Sequence, residues 1–175
     1  MTNIILTGVS GSIGQAVIQI CKELEIKTTN FPLPRYLLFK NRESEFYQDL
    51  RDQIDVNARN VFLHLGHPGI FASSKTYEIY RRNSLILFEA CKVLKLPLIF
   101  ASSASCFEDN TSFYSRFKYK MEGLAISKGH KVIRLGIFID GNDLRSRYHK
   151  MAKLYRLAKF MGLRARLNEI GRAHV

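Results

Sequence analysis

Tryptophan is absent from the 175 residues, and cysteine is limited to Cys21, Cys91 and Cys106. An odd, widely spaced set of three suits neither a disulfide framework nor a zinc site, so a reducing compartment is expected. Long apolar runs are missing too. Nothing approaches the roughly 18 residues of a membrane span, and the N-terminus lacks a charged segment leading to a cleavage site. Secretion and membrane insertion are disfavoured, and a cytoplasmic protein is expected. No internal repeat or low-complexity stretch interrupts the chain. What is present, 46% hydrophobic residues beside 24% charged ones, is an ordinary globular balance that argues against disorder and suits one compact domain.

Acidic residues are the other shortage, 15 against 27 Lys plus Arg, for a formal charge of +12. A value this basic raises nucleic acid or an anionic surface as a partner. Its distribution weakens that reading. Residues 1–139 carry 18 basic and 12 acidic side chains, whereas residues 140–175 carry nine and three. The tail predicts a basic helix over Ser146 to Met161, with Lys150, Lys153, Arg156 and Lys159 at every third position and Met151, Leu154, Leu157 and Met161 on another face. Such a run is first of all a solvated helix face, and no nucleic-acid partner is expected.

Elsewhere the pattern alternates. Asn3 to Thr7 is an apolar run without helical period, followed by Gly8-Val-Ser-Gly11-Ser-Ile-Gly14 and then Ala16, Val17, Ile20, Cys21 and Leu24 at helical spacing. Strands are also expected over Ile26 to Phe31, more weakly over Tyr36 to Lys40, and over Asn60 to Leu65, Leu96 to Ala101 and Lys131 to Phe138. Helices are expected through Ile79 to Leu94 and Tyr114 to Lys128. Strands separated by helices predict a parallel α/β sheet with right-handed crossovers, a Rossmann-like doubly wound fold.

The glycine spacing has a chemical reading in that context. Gly8 permits a tight turn, Gly11 lets backbone amides approach a pyrophosphate, and Gly14 lets the helix pack closely on the strand. The helix N-terminus offers unpaired N–H groups to phosphate. The plainer alternative is that the glycines serve sterics only. The acidic residue expected about 20 positions on is missing from Thr28 to Arg35. Asn30 could bond a ribose hydroxyl and Arg35 a 2′-phosphate, so NAD and NADP both stay open.

Tyr114 and Lys118 stand at i and i+4, neighbours on one helix face. An ammonium there favours the phenolate and predicts a lowered Tyr114 pKa, suited to proton exchange with a hydroxyl or carbonyl. Ser103, at the end of the preceding strand, could hold the same oxygen.

Over about Asn3 to Gly141 the sequence resembles the extended branch of the short-chain dehydrogenase/reductase superfamily, which contains nucleotide-sugar epimerases, dehydratases and reductases. The resemblance rests on Thr7 to Gly14, Asp49-Leu-Arg-Asp52, Phe62-Leu-His-Leu-Gly66, Asn83, Ser102 to Phe107, Tyr114-x-x-x-Lys118 with Glu122, and Arg134-Leu-Gly136, in the family's order. It implies that Gly8, Gly11, Ser12, Ile13 and Gly14 cradle the pyrophosphate of NAD or NADP. Asp49 and Leu50 would flank the adenine, Leu65, Gly66 and His67 would lie beside the cofactor, and Asn83 would support the site. Ser103, Tyr114 and Lys118 would be the catalytic trio, Lys118 also binding the nicotinamide ribose. The implied function is an epimerase or carbonyl reductase acting on a nucleotide-activated sugar, with a homodimer left open.

Some positions depart from the family. Ala104-Ser105 replaces the acidic pair of the dehydratases, and only eleven positions separate Ser103 from Tyr114, a shortened loop. Phe107-Glu108 replaces Tyr-Gly, and Ile137 replaces a substrate-contacting Asn. A cofactor-sensing or scaffold protein of the same fold is the alternative function. His64 and His67 lack a third ligand, so no metal site is expected. Cys21, Cys91 and Cys106 read as buried hydrophobes. Tyr77, Tyr80, Arg81 and Arg82 are assigned to the sheet's surface or a subunit contact.

The resemblance also bears on length. Residues 1–141 are expected to form the cofactor domain and 142–169 the opening of a substrate region cut short. Residues 170–175, Ile-Gly-Arg-Ala-His-Val, match the translation of a common sequencing-library adapter, and an open reading frame that ran off a contig is expected.

Overall fold

In the computed structural model the described residues are 1–33, 43–69, 72–104, 106 and 112–135. The weak strand over Tyr36 to Lys40, the basic helix from Ser146, and Arg35, Phe107, Glu108 and Ile137 lie outside them. Nine elements follow in chain order: β1 (Thr2–Thr7), α1 (Ser12–Glu23), β2 (Lys27–Asn30), α2 (Glu43–Asp52), β3 (Arg59–His64), α3 (Ser74–Val93), β4 (Leu98–Ser103), α4 (Phe113–Ser127) and β5 (Lys131–Leu135). The five strands form one parallel sheet in the order β2-β1-β3-β4-β5.

Strand periodicity sorts the side chains onto two faces. Ile5, Phe62, Leu98 and Phe100 point to one face, where α2 (Phe46, Leu50), α3 (Leu87, Phe88, Cys91) and α4 (Phe117, Met121, Ala125) complete the larger core. Leu6, Leu65 and Ala101 point to the other, packed by Ile13, Val17 and Ile18 of α1. With helices on both faces, the sheet is the doubly wound arrangement expected.

Helix ends are set locally. Ser73 caps α3 by accepting the Thr76 amide at 3.2 Å. Three helices stop in the same way: Ile26 N–H reaches Cys21 O at 2.8 Å, Leu96 N–H reaches Cys91 O at 2.8 Å, and His130 N–H reaches Ala125 O at 3.0 Å. These are Schellman closures, with Glu25, Lys95 and Gly129 at positive φ. Each turns the chain directly into β2, toward β4 and into β5.

The helix α2 is absent from the sequence expectation. Its apolar content is Phe46 and Leu50, one i, i+4 pair, with Tyr47 beside them. Charge was the readable signal: Glu43 and Glu45 lie in its first turn and Arg51 in its last, each matching the helix dipole.

Candidate functional site

Strand order reverses between β1 and β3, and ligands of open α/β sheets bind at the carboxyl ends of strands beside such a switch point. The turns after β1 and β3 meet there. Gly8 has φ +74°, and a Cβ on it would stand 2.5 Å from the Gly66 amide nitrogen, so two backbones touch where side chains would keep them apart. Gly14, in the first turn of α1, is buried, and a Cβ there would come within 2.7 Å of Val9 Cα and closer still to the Gly8 carbonyl oxygen. Gly11, the N-cap, is exposed, and its Cβ would meet only the Gly8 carbonyl oxygen at 3.5 Å, ordinary contact. No side chain caps α1 and no acid stands in its first turn. The amides of Ser12, Ile13 and Gly14 precede the intrahelical ladder, which leaves a positive, amide-rich rim. Ile13 itself packs inward, on the α1 side of the sheet.

One strand further along, Ser103 ends β4 and Tyr114 opens α4. The structure brings them together: the Ser103 hydroxyl is hydrogen-bonded to the Tyr114 phenol. His67, from the turn after β3, sets its ring against Tyr114, centroids 5.6 Å apart and planes at 62°. Its Nδ1 donates to the Pro68 carbonyl at 2.6 Å. Phenol, hydroxyl and imidazole thus come from three elements to the same edge of the sheet as the glycine turn.

The electrostatics differ from expectation. Tyr114 is pushed up to about 12, chiefly by desolvation, with Cys106 adding to the rise and the Ser103 hydrogen bond opposing it. The expected lowering by Lys118 does not operate in this arrangement. Lys118 is 1% exposed, its ammonium donates to the Ala101 carbonyl at 2.7 Å, and it lies 4.6 Å from the centre of the Phe100 ring. It is turned onto the sheet. Burial pushes its own pKa down to about 8, against smaller upward pulls from Cys106 and Glu122.

That shift has a signed consequence for stability. The unfolded chain holds the extra proton between about pH 8 and the ordinary 10.5, so the penalty for burying this ammonium is full below pH 8 and lifts across that window. Melting curves of Lys118→Met and wild type should differ most in the variant's favour near pH 7, the gap closing toward about pH 10. A gap constant over that range would show that the ammonium is not desolvated.

Asn83, in the middle of α3, is 7% exposed, and its Nδ2 has no partner among the described residues. An orphaned buried amide costs the fold unless something else bonds it. His64 ends β3 with no exposure, and burial pushes its pKa down to about 3, so the ring is neutral at physiological pH. No group of three potential metal ligands occurs among the described residues.

Other residues singled out in the sequence are placed as follows. Leu50 is fully buried in the larger core, where its side chain holds α2 to the sheet. Asp49 beside it is half-buried. Leu65 is 8% exposed and packs on the α1 side. Tyr77 is a core residue rather than a surface one. It is 1% exposed, donates to the Gly69 carbonyl at 3.1 Å and packs its ring on Phe113 and Phe117. Tyr80 lies on His64. Only Arg81, paired with Glu78, and Arg82 reach outward from that cluster. Cys21, Cys91 and Cys106 are buried, as expected of small hydrophobes.

No family model and no curated protein matches the sequence. Solved structures do. A dTDP-4-dehydrorhamnose reductase from Yersinia enterocolitica superposes with a TM-score of 0.64 at 17% identity, over 88% of this chain and 61% of its own. A UDP-N-acetylglucosamine 4-epimerase from Bacillus cereus gives 0.58 at 16%, over 82% and 56%. A short-chain dehydrogenase/reductase superfamily protein from Agrobacterium tumefaciens, solved with bound NAD, gives 0.57 at 20%, over 89% and 60%. The chain spans 56–61% of the length of these three proteins. At such identities the likeness is one of fold: the parallel α/β sheet of this chain is shared with these three proteins.

Proposed function

We propose that this chain is the NAD(P)-binding part of an epimerase or carbonyl reductase that acts on a nucleotide-activated sugar. One observation carries the reading: the glycine cradle after β1 and the Ser103–Tyr114 pair after β4 stand along the same carboxyl edge of one sheet. The residues present fit a dinucleotide. The N-cap of α1 is Gly11, which has no side chain to cap the helix and no Cβ to block the approach, and the Asn83 amide is a buried donor without a partner among the described residues.

In this reading Gly8, Gly11, Ser12, Ile13 and Gly14 hold the pyrophosphate through backbone amides, and Gly66 and His67 border the bound cofactor. When bound, the nicotinamide supplies hydride transfer. The chain supplies the proton. A phenol held at about 12 stays protonated at working pH, the form that donates to a carbonyl oxygen, and Ser103 positions that oxygen. The resemblance assigns Lys118 to the nicotinamide ribose, which its ammonium would reach only by turning away from the Ala101 carbonyl that holds it. Asn30, exposed at the end of β2, takes the place of the missing ribose-binding acid, which leaves NAD and NADP as alternatives. A homodimer and a cytoplasmic location belong to the same reading. No helix among the described residues is long and apolar enough to cross a membrane.

Fluorescence titration with NADH and NADPH is the direct test. Saturable binding of at least one, with a Kd of about 100 µM or tighter, is expected. Failure to bind either at millimolar concentration would overturn the reading.

A further inference from the structure

Beneath the glycine turn lies a buried polar network that the proposed chemistry does not use. Thr7, the last residue of β1, and His64, the last of β3, are register partners on the sheet. Thr7 Oγ1 is 2.6 Å from His64 Nδ1, and the same oxygen accepts the Gly66 amide at 3.2 Å. The other ring nitrogen, Nε2, is 3.0 Å from Ser84 Oγ and 3.0 Å from the Tyr80 hydroxyl, both on α3. Either tautomer leaves both nitrogens partnered. The ring stacks on Tyr80 with planes at 20° and touches Phe88 and Phe100. Tyr80 in turn meets Phe117, the neighbour of Lys118 on α4.

Packing alone does not call for an imidazole here. The three residues before it in the strand are Val61, Phe62 and Leu63, and a phenyl or branched aliphatic group would bury without needing partners. What His64 adds is direction. Gly8 and Gly66 touch backbone to backbone, and outside the β1–β3 ladder the Thr7 hydroxyl is the group that ties the second turn to the first. A hydroxyl turns freely about its bond and can bond locally instead. The bond to Nδ1 selects the rotamer in which Oγ1 faces the Gly66 amide.

We propose that His64 is a positioning residue for the nucleotide site, orienting the Thr7 hydroxyl so that the turns after β1 and β3 keep the spacing a dinucleotide needs. The ligand named in this proposal rests on the NAD(P) reading. The geometry of the latch does not.

Two measurements on the full chain decide it: amide hydrogen exchange followed by mass spectrometry, and titration with NADH and NADPH. In His64→Phe and Thr7→Val, exchange should rise about tenfold in peptides covering 7–11 and 64–67 while peptides of β4 and α4 stay at the wild-type rate. Nucleotide affinity should fall about tenfold in both variants, and Thr7→Ser, which keeps the hydroxyl, should restore both readings to within about threefold of wild type. Should His64→Phe fail to fold, the Thr7→Val and Thr7→Ser pair carries the same comparison. Unchanged exchange at 64–67 in a folded variant overturns the latch. A parallel rise over the whole chain overturns it too, because that is the signature of a core residue and nothing more. If wild type binds neither nucleotide, the NAD(P) reading fails by itself and the exchange data still decide the latch.

Discussion

Gly14→Ala is expected to remove nucleotide binding and to cost the fold about 3 kcal/mol, at the upper end of overpacking changes. The clash is with backbone, the Gly8 carbonyl oxygen and Val9 Cα, so no side-chain rotation relieves it. Either α1 moves off the sheet, taking the amides of its first turn with it, or the turn after β1 opens. A fall in melting temperature of about 10 °C goes with that free energy for a domain of this size. Gly11→Ala provides the contrast, because its Cβ makes ordinary contact within the protein and stands at the N-cap of α1, where the proposed pyrophosphate would approach. That variant should melt within about 2 °C of wild type and still bind NADH or NADPH about tenfold more weakly. Thermal melts and titrations of the two variants side by side are the check. A Gly14→Ala protein that melts and binds like wild type would mean that the turn and helix are further apart than described.

Tyr114→Phe should lower turnover by about a thousandfold, within the range that a positioned acid or base contributes, while nucleotide affinity changes by no more than about twofold. The ring contact with His67 survives this substitution, and the phenolic oxygen that Ser103 engages is lost. Steady-state rates with a nucleotide-linked ketosugar, beside a cofactor titration, separate the two terms. A cofactor sensor of the same fold gives another pattern, with nucleotide binding in both proteins and turnover in neither. Turnover that survives in Tyr114→Phe would remove the phenol from the chemistry and shift attention to Ser103 and His67, the other groups at that edge.

Much of the sheet was legible because its signals are local. Apolar runs closed by glycine mark β1 and β3, a run closed by Ser102 and Ser103 marks β4, and the spacing Gly8, Gly11, Gly14 announces the turn before α1. The helix α2 was hidden because Phe46 and Leu50 are too few to show a period. Tyr77 and Tyr80 form a sequence cluster with Arg81 and Arg82, which assigns them to the sheet's surface or a subunit contact and hides how deeply they are buried. In the fold α3 is covered on one side by the sheet and on another by α4, so an apolar arc wider than one stripe is buried. The candidate trio was legible as residues but not as electrostatics. Spacing of i and i+4 puts Lys118 on the same helix face as Tyr114, yet the Ala101 carbonyl and the Phe100 ring decide where its charge goes. The role of His64 was out of reach for the same reason, since its partners lie 57, 20 and 16 positions away along the chain.

The reversal of strand order also governs when the site comes into being. The edge of β1 that faces the switch point is paired by β3, with Thr2 opposite Arg59 and Thr7 opposite His64, and no local contact substitutes for that ladder. Pairing of parallel strands so far apart in sequence must meet the entropy of closing a long loop before any contact rewards it, which makes such steps slow. A nascent chain that has emerged only through α2 carries its whole glycine turn, yet lacks the Gly66 backbone against which that turn is shaped. Recognition of the proposed dinucleotide would therefore be acquired by a folding event that joins the first strand to the third, and its onset would date that event.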